Sequence, residues 1–196
     1  MIKKRAKKTF QADEEEMTLL ADFLKEQNVK NYDYAIFGDG SGSTFDRGAG
    51  WASVSIEKAT QERRVWNGGV NRGTVNFAEI MAYVQPLTYL QSVEEKRRAL
   101  LGRRAVYVHI FTDSEYCRNM GMAVKRTVHK NAVLWAIFDV LQRDGFMLRW
   151  HWIRRESVAL NCYCDRLSRL SRILHERYNL QERMLADHHD MQTINP

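Results

Sequence analysis

Proline is scarce in this chain, with Pro86 and Pro196 the two examples among 196 residues, and no internal repeat or low-complexity segment divides it. One compact domain with appendages is the expected organisation, since a core of about 150 residues already buries most of its apolar surface. Cysteine is sparse too. Cys117, Cys162 and Cys164 are odd in number, and the last two stand too close together for a structural disulfide or a four-ligand zinc framework. A reducing, cytoplasmic setting is expected. Long apolar runs are missing: Ala132 to Phe138 falls far short of the roughly 20 residues that cross a bilayer, so a soluble protein with no membrane partner is expected. The basic start, Met1 to Lys8, runs into acids at Asp13 to Glu16 where a signal peptide needs an apolar core, so no export is expected.

What the chain does have is positive charge. Thirty Lys and Arg stand against 24 acids, for a formal charge of +6 and a sequence pI near 9.3, and a polyanion is the natural partner for that balance. Residues 1 to about 12 read as a cationic arm. From Asp13 to Gln27, Met17, Leu19, Leu20, Phe23 and Leu24 recur at helical spacing behind an acidic first turn. Residues 1–30 are therefore read as an extension whose helix packs on its own domain, with a protein partner as the alternative.

Further on, Tyr34 to Phe37 are strand formers, and Gly38, Gly40 and Gly42 surround Asp39, which places that acid at a strand end. Gly48 to Ile56 alternates, and Arg63 to Gly69 adds a third short run, so an antiparallel meander is expected. Thr74 to Gln91 changes to helical period, with Pro86 expected to kink or divide it, and the basic run at 94–104 reads as a solvated linker. A strand over Ala105–Thr112 then delivers Asp113. Helices are expected at Glu115–Met122, Asn131–Arg143 and Asn161–Tyr178, with a fifth strand over Phe146–Ile153 that carries Leu148, Trp150 and Trp152 on one face. Trp135, Trp150 and Trp152 are expected in the core. His151 reads as a strand residue, and residues 181–196, with His188, His189 and Asp190, as a polar tail. The pattern is a mixed-sheet α/β or α+β layer fold.

Asp39, Glu79, Asp113 and Asp165 fall at two strand ends and in the first turns of two helices. Acids gathered there repel one another unless a divalent cation neutralises them, and Mg2+ is the natural guest, with Mn2+ as a substitute. Two such cations about 4 Å apart can activate water and stabilise the leaving oxygen of a phosphodiester. That is hydrolysis of a nucleic-acid strand.

Four segments then carry a resemblance: Phe37–Gly42, Thr74–Ala82, Phe111–Tyr116 and Asn161–Leu167. Together with Lys130-Asn131, Leu134-Trp135 and Trp150-His151-Trp152 they resemble type 1 ribonuclease H over about residues 33 to 175. The resemblance implies an RNase H-like domain at 31–180: a five-stranded mixed β-sheet, antiparallel meander then parallel strands, flanked by α-helices. It also implies endonucleolytic cleavage of the RNA strand of an RNA/DNA hybrid duplex, with two Mg2+ ions and 5′-phosphate products.

By the same matching, Asp39, Glu79, Asp113 and Asp165 are the catalytic, metal-binding carboxylates, and Gly40, Ser41, Asn76 and Ser114 lie along the minor groove, where 2′-hydroxyls mark RNA. Asn76 and Ser114 also suit helix caps. Two departures stand out. The loop at 154–160 lacks the family's histidine, so Arg155 or Glu156 takes its space, with Arg155 as a phosphate contact. The basic protrusion is reduced to Lys125, Arg126 and Lys130. The alternatives are a DNA-junction or other nuclease on the same fold, and a catalytically weak nucleic-acid-binding module.

Overall fold

The computed structural model describes residues 9–11, 14–43, 48–102, 104–123 and 130–192. In chain order its elements are β1 (Thr9–Gln11), α1 (Glu14–Glu26), β2 (Tyr34–Gly42), β3 (Ala49–Glu57), β4 (Glu62–Val70) and α2 (Val75–Leu101), then β5 (Val106–Thr112), α3 (Glu115–Met122), α4 (Ala132–Arg143), β6 (Phe146–Trp152) and α5 (Ala159–Gln192). The strands form one sheet in the order β1-β4-β3-β2-β5-β6. β1, β4, β3 and β2 pair antiparallel, whereas β2, β5 and β6 pair parallel. This is the expected five-stranded mixed sheet, with β1 added at its edge.

Alternation along the central strands sends side chains to two cores. One lies under α2, α3 and α4, where Ile36, Val108 and Ile110 meet Tyr83, Leu87, Trp135 and Phe138. The other lies under α1 and α5, where Ala35, Phe37, Val54, Ile56 and Phe111 meet Leu20, Leu24 and Cys164. Residues buried on both faces explain why β2 reads as a near-continuous apolar run.

Several expectations are corrected. Thr9–Gln11, assigned to the cationic arm on charge alone, pairs with Arg64–Glu62 and covers the open edge of β4. α2 is not divided at Pro86 but runs for 27 residues, because Tyr83, Val84, Leu87 and Leu90 are buried on either side of the proline and their packing outweighs its missing hydrogen bond. The supposed linker at 94–101 is thus the end of that helix, where Arg97 bridges Glu57 at 2.7 Å and Glu94 at 3.0 Å. α5 continues through most of the expected polar tail. Trp150 is buried against Tyr83, Trp135 and Phe138, but Trp152, at the last position of the edge strand, is 45% exposed.

The backbones of β2 and α2 come close together at Gly40. A Cβ there would lie 2.2 Å from the Glu79 backbone nitrogen and 2.6 Å from the Ala78 carbonyl carbon. Backbone does not give way as a flexible side chain does, so Gly40→Ala is expected to cost about 1–3 kcal/mol, as overpacking does. Thermal denaturation checks this, and an unchanged midpoint would mean that β2 and α2 do not touch as described.

Candidate active site

Parallel pairing places two acids at one end of the sheet. Phe37 and Phe111 are register partners, and Asp39 and Asp113 follow each by two residues. Glu79 comes from the second turn of α2, whose start is set by Thr74, its hydroxyl accepting from the Phe77 backbone nitrogen at 3.1 Å. Bare Gly40 lets that turn come down on β2. One turn further along α2, the buried Tyr83 hydroxyl donates to the Gly38 carbonyl at 2.7 Å and lies 3.2 Å from the Phe111 carbonyl, tying the two strand ends together. From the other face α5 supplies Asp165. Its neighbour Cys164 reaches the Phe37 carbonyl at 3.5 Å, and the Ser168 hydroxyl sits 3.3 Å from Asp39 Oδ2.

Asp39, Glu79 and Asp113 consequently each offer an oxygen within 4.8 Å of the others. Asp39 and Glu79 are 1% and 5% exposed. Asp39 Oδ1, Glu79 Oε2 and Asp113 Oδ1 are buried and accept no hydrogen bond. Three neighbouring acids, each with a buried oxygen that lacks a partner, form a hard, oxygen-only donor set, which fits Mg2+ or Mn2+ and not a thiophilic metal. Asp165 stands at the margin of the cluster, 28% exposed and held by Arg169 at 2.9 Å. The Arg155 guanidinium reaches in from the β6–α5 loop, its Nε 3.1 Å from Asp113 Oδ2.

The electrostatics follow from burial and crowding. Burial first, then Asp113 and Asp165, push the Asp39 carboxyl from 3.8 up to about 7, although Ser168 and Arg155 pull it down. Burial, then Asp39 and Asp113, hold Glu79 well above 4.5. In this arrangement one carboxylate resists the ionisation of the next.

No family model matches the chain. A ribonuclease H from Treponema denticola is 30% identical to it over 152 residues, a match that covers 68% of this chain and 92% of that protein. The chain belongs to the ribonuclease H family. The ribonuclease H fold recurs in solved structures of lower identity. The N-terminal RNase H domain of a Mycobacterium tuberculosis protein, solved as a fusion with maltose-binding protein, superposes with a TM-score of 0.60 at 16% identity, covering 76% of this chain and 99% of that one. LC11-RNase H1, solved in complex with RNA/DNA hybrid, gives 0.56 at 21% identity, covering 71% and 96%.

Of the residues matched to ribonuclease H motifs, Asp39, Glu79 and Asp113 converge and Asp165 lies beside them. Gly40 is buried in β2, and the Ser41 hydroxyl accepts from Arg172 Nε at 3.3 Å. Asn76 is exposed in the first turn of α2 and is not its cap, a role Thr74 takes. Ser114 does cap α3, accepting from the Cys117 nitrogen at 3.3 Å. Lys130 is exposed just before α4, and Lys125 and Arg126 lie outside the described residues. His151 stacks on Phe111 at 4.8 Å, as a strand residue does. His188, His189 and Asp190 fall on the last turns of α5, outside the described side chains. Ser168, Arg169 and Tyr83 were not singled out by motif. Their signal was helical spacing, three and four residues after Asp165 and four after Glu79.

A raised carboxyl pKa has a definite sign in stability. Between the unfolded value and about 7, the folded chain keeps on Asp39 a proton that the unfolded chain releases, so stability falls as pH rises. In metal-free buffer the thermal midpoint is expected to drop from about pH 5 to about pH 8, and Asp39→Asn to flatten that slope and raise the midpoint at the upper end. A midpoint that climbs over this range would contradict the arrangement.

Proposed function

We propose that the chain is a divalent-metal-dependent endoribonuclease that hydrolyses the RNA strand of RNA/DNA hybrids and leaves 5′ phosphates. The observation that carries this reading is a trio of acids, Asp39, Glu79 and Asp113, that each bring an oxygen within 4.8 Å of the others and each keep a buried oxygen without a hydrogen bond, in a basic chain of the ribonuclease H family. That one structural neighbour is solved with a hybrid duplex supports the choice of substrate.

Asp39, Glu79, Asp113 and Asp165 would hold the metal, as two Mg2+ ions or Mn2+ in their place. When bound, such ions supply Lewis-acid activation of the attacking water and neutralise charge at the leaving 3′ oxygen. The protein's share is placement. Ser168 and Tyr83 fix the carboxylates and the strand ends that bear them. Arg155, with 67% of its side chain exposed, has one flank on Asp113 and the other free to meet a phosphate oxygen, in the loop where the family commonly has a histidine. Gly40, Ser41, Asn76 and Ser114, each within three residues of one of the acids in sequence, would read the minor groove, where the 2′-hydroxyl separates RNA from DNA. Lys125, Arg126 and Lys130 would contact phosphates outside the cleavage site.

Purified protein assayed on RNA/DNA hybrid, double-stranded RNA, double-stranded DNA and a four-way DNA junction tests the proposal. The expected outcome is Mg2+-dependent cleavage of the hybrid's RNA strand that EDTA abolishes. Asp113→Asn is expected to reduce it by about 100-fold or more, the scale on which preorganised charge acts in catalysis. Full activity in that variant, a preference for the junction, or hybrid binding in EDTA with no turnover on adding Mg2+ would overturn the reading.

A further inference from the structure

The resemblance to ribonuclease H begins near residue 33, so it leaves α1 without a role. We infer that α1 is a working part of the active site, with Phe23 as the positioning residue that sets the spacing of Asp39 and Asp113. This inference rests on the metal reading above.

Phe23 lies on two strands at once. Its ring centroid is 5.9 Å from that of Phe37 and 5.4 Å from that of Phe111, edge-on to the latter at 63°. Phe37 and Phe111 are themselves stacked, 4.7 Å apart and 12° from parallel. Each of those rings precedes a cluster acid by two residues, and strand alternation puts Phe37 and Asp39 on the same face of the sheet. Cys164, adjacent to Asp165, is buried in the same aromatic layer, and Val158 and Leu160 pack against it from the end of the loop that carries Arg155. The layer therefore touches the chain next to three of the four acids and the loop of the arginine. Carboxylates forced together push their strands apart, and the three-ring cluster, with Phe23 set across the stacked Phe37–Phe111 pair, resists that push.

The next residue of α1 provides a control. Leu24 belongs to the same buried cluster as Phe37, Phe111 and Cys164, at 3% exposure, but it brings no ring to the aromatic contact and also lines a cavity with Val29, Tyr32 and Lys58. Those residues flank Tyr34 and Glu57, which pair at the end of β2 and β3 remote from the acids. Trimming Leu24 takes apolar packing from that cluster but leaves the three rings in place, so the domain should weaken while the spacing of Asp39 and Asp113 holds.

The test is a Mg2+ titration of the full chain, read as the rise in thermal midpoint with metal concentration, on wild type, Phe23→Ala, Phe23→Leu and Leu24→Ala. Both Phe23 variants are expected to raise the half-saturating Mg2+ on the order of tenfold, the scale on which residues supporting metal ligands act. They should also lower kcat on hybrid with KM unchanged. Leu24→Ala is expected to lower the metal-free midpoint and leave the half-saturating Mg2+ where it is. If Phe23→Ala does not fold, Phe23→Leu, which keeps most of the apolar bulk and loses the ring, decides. A Phe23 variant with the wild-type Mg2+ response, or an equal shift in Leu24→Ala, would overturn the inference alone. A wild-type chain with no Mg2+ response would remove the metal reading and this inference with it.

Discussion

Three carboxylates held against their mutual repulsion in a water-poor pocket are the constraint on which the rest of this structure depends. Left alone, like charges a few ångströms apart either separate or take up protons. Here the separation is blocked from every side. The β2–β5 register fixes where Asp39 and Asp113 emerge, Gly40 lets α2 come close enough to deliver Glu79, and Tyr83 links both strand ends through the Gly38 and Phe111 carbonyls. What remains is protonation, visible in the raised Asp39 and Glu79, or neutralisation by a cation.

The opposite end of the same sheet shows how the fold treats a buried acid that has no cation to hold. Glu94 is fully buried, yet it accepts from the Tyr34 hydroxyl at 2.6 Å and from Arg97 at 3.0 Å, with Arg104 3.9 Å from its second oxygen. Arg97 also reaches Glu57 at 2.7 Å. Glu94 Oε2 makes no hydrogen bond either, but two arginines flank this one acid, and Glu57 and Asp33 nearby are each bridged by one of the same two arginines. At the active-site end, three acids share one arginine: Arg155 and Ser168 satisfy one oxygen each of Asp113 and Asp39, while Asp39 Oδ1, Glu79 Oε2 and Asp113 Oδ1 stay unpaired. Unpaired buried charge costs stability, and its concentration at one spot is what marks a functional site.

Much of this was legible in the residues. Asp113 after an apolar strand gave a strand end directly, because alternation is a local signal, whereas Asp39, expected at a strand end from its glycines, lies inside β2, which stays paired with β3 through Gly42. Glu79 on an apolar helix followed from the change of period at Thr74. The resemblance of four ordered segments to ribonuclease H then supplied the sheet order that periodicity alone leaves open. What failed to show were effects decided by distant partners. Pro86 reads as a helix breaker until the buried residues around it are seen, and Arg97 reads as a solvated charge until Glu57 and Glu94 are beside it. Thr9–Gln11 looks like part of a cationic tail because its strand partner, Arg64–Glu62, is more than fifty positions away. Phe23 was legible as one apolar residue of an amphipathic helix, but its two aromatic partners come from strands β2 and β5, and no spacing within α1 points to them.

The central claim is that these acids form one cation site, and anomalous diffraction from crystals soaked in Mn2+ tests it most directly. The account predicts density peaks ligated by Asp39, Glu79 and Asp113, with Asp165 drawn to the metal and away from Arg169. Soaked crystals with no peak at the cluster, and Arg155 as the sole cation on Asp113, would contradict it.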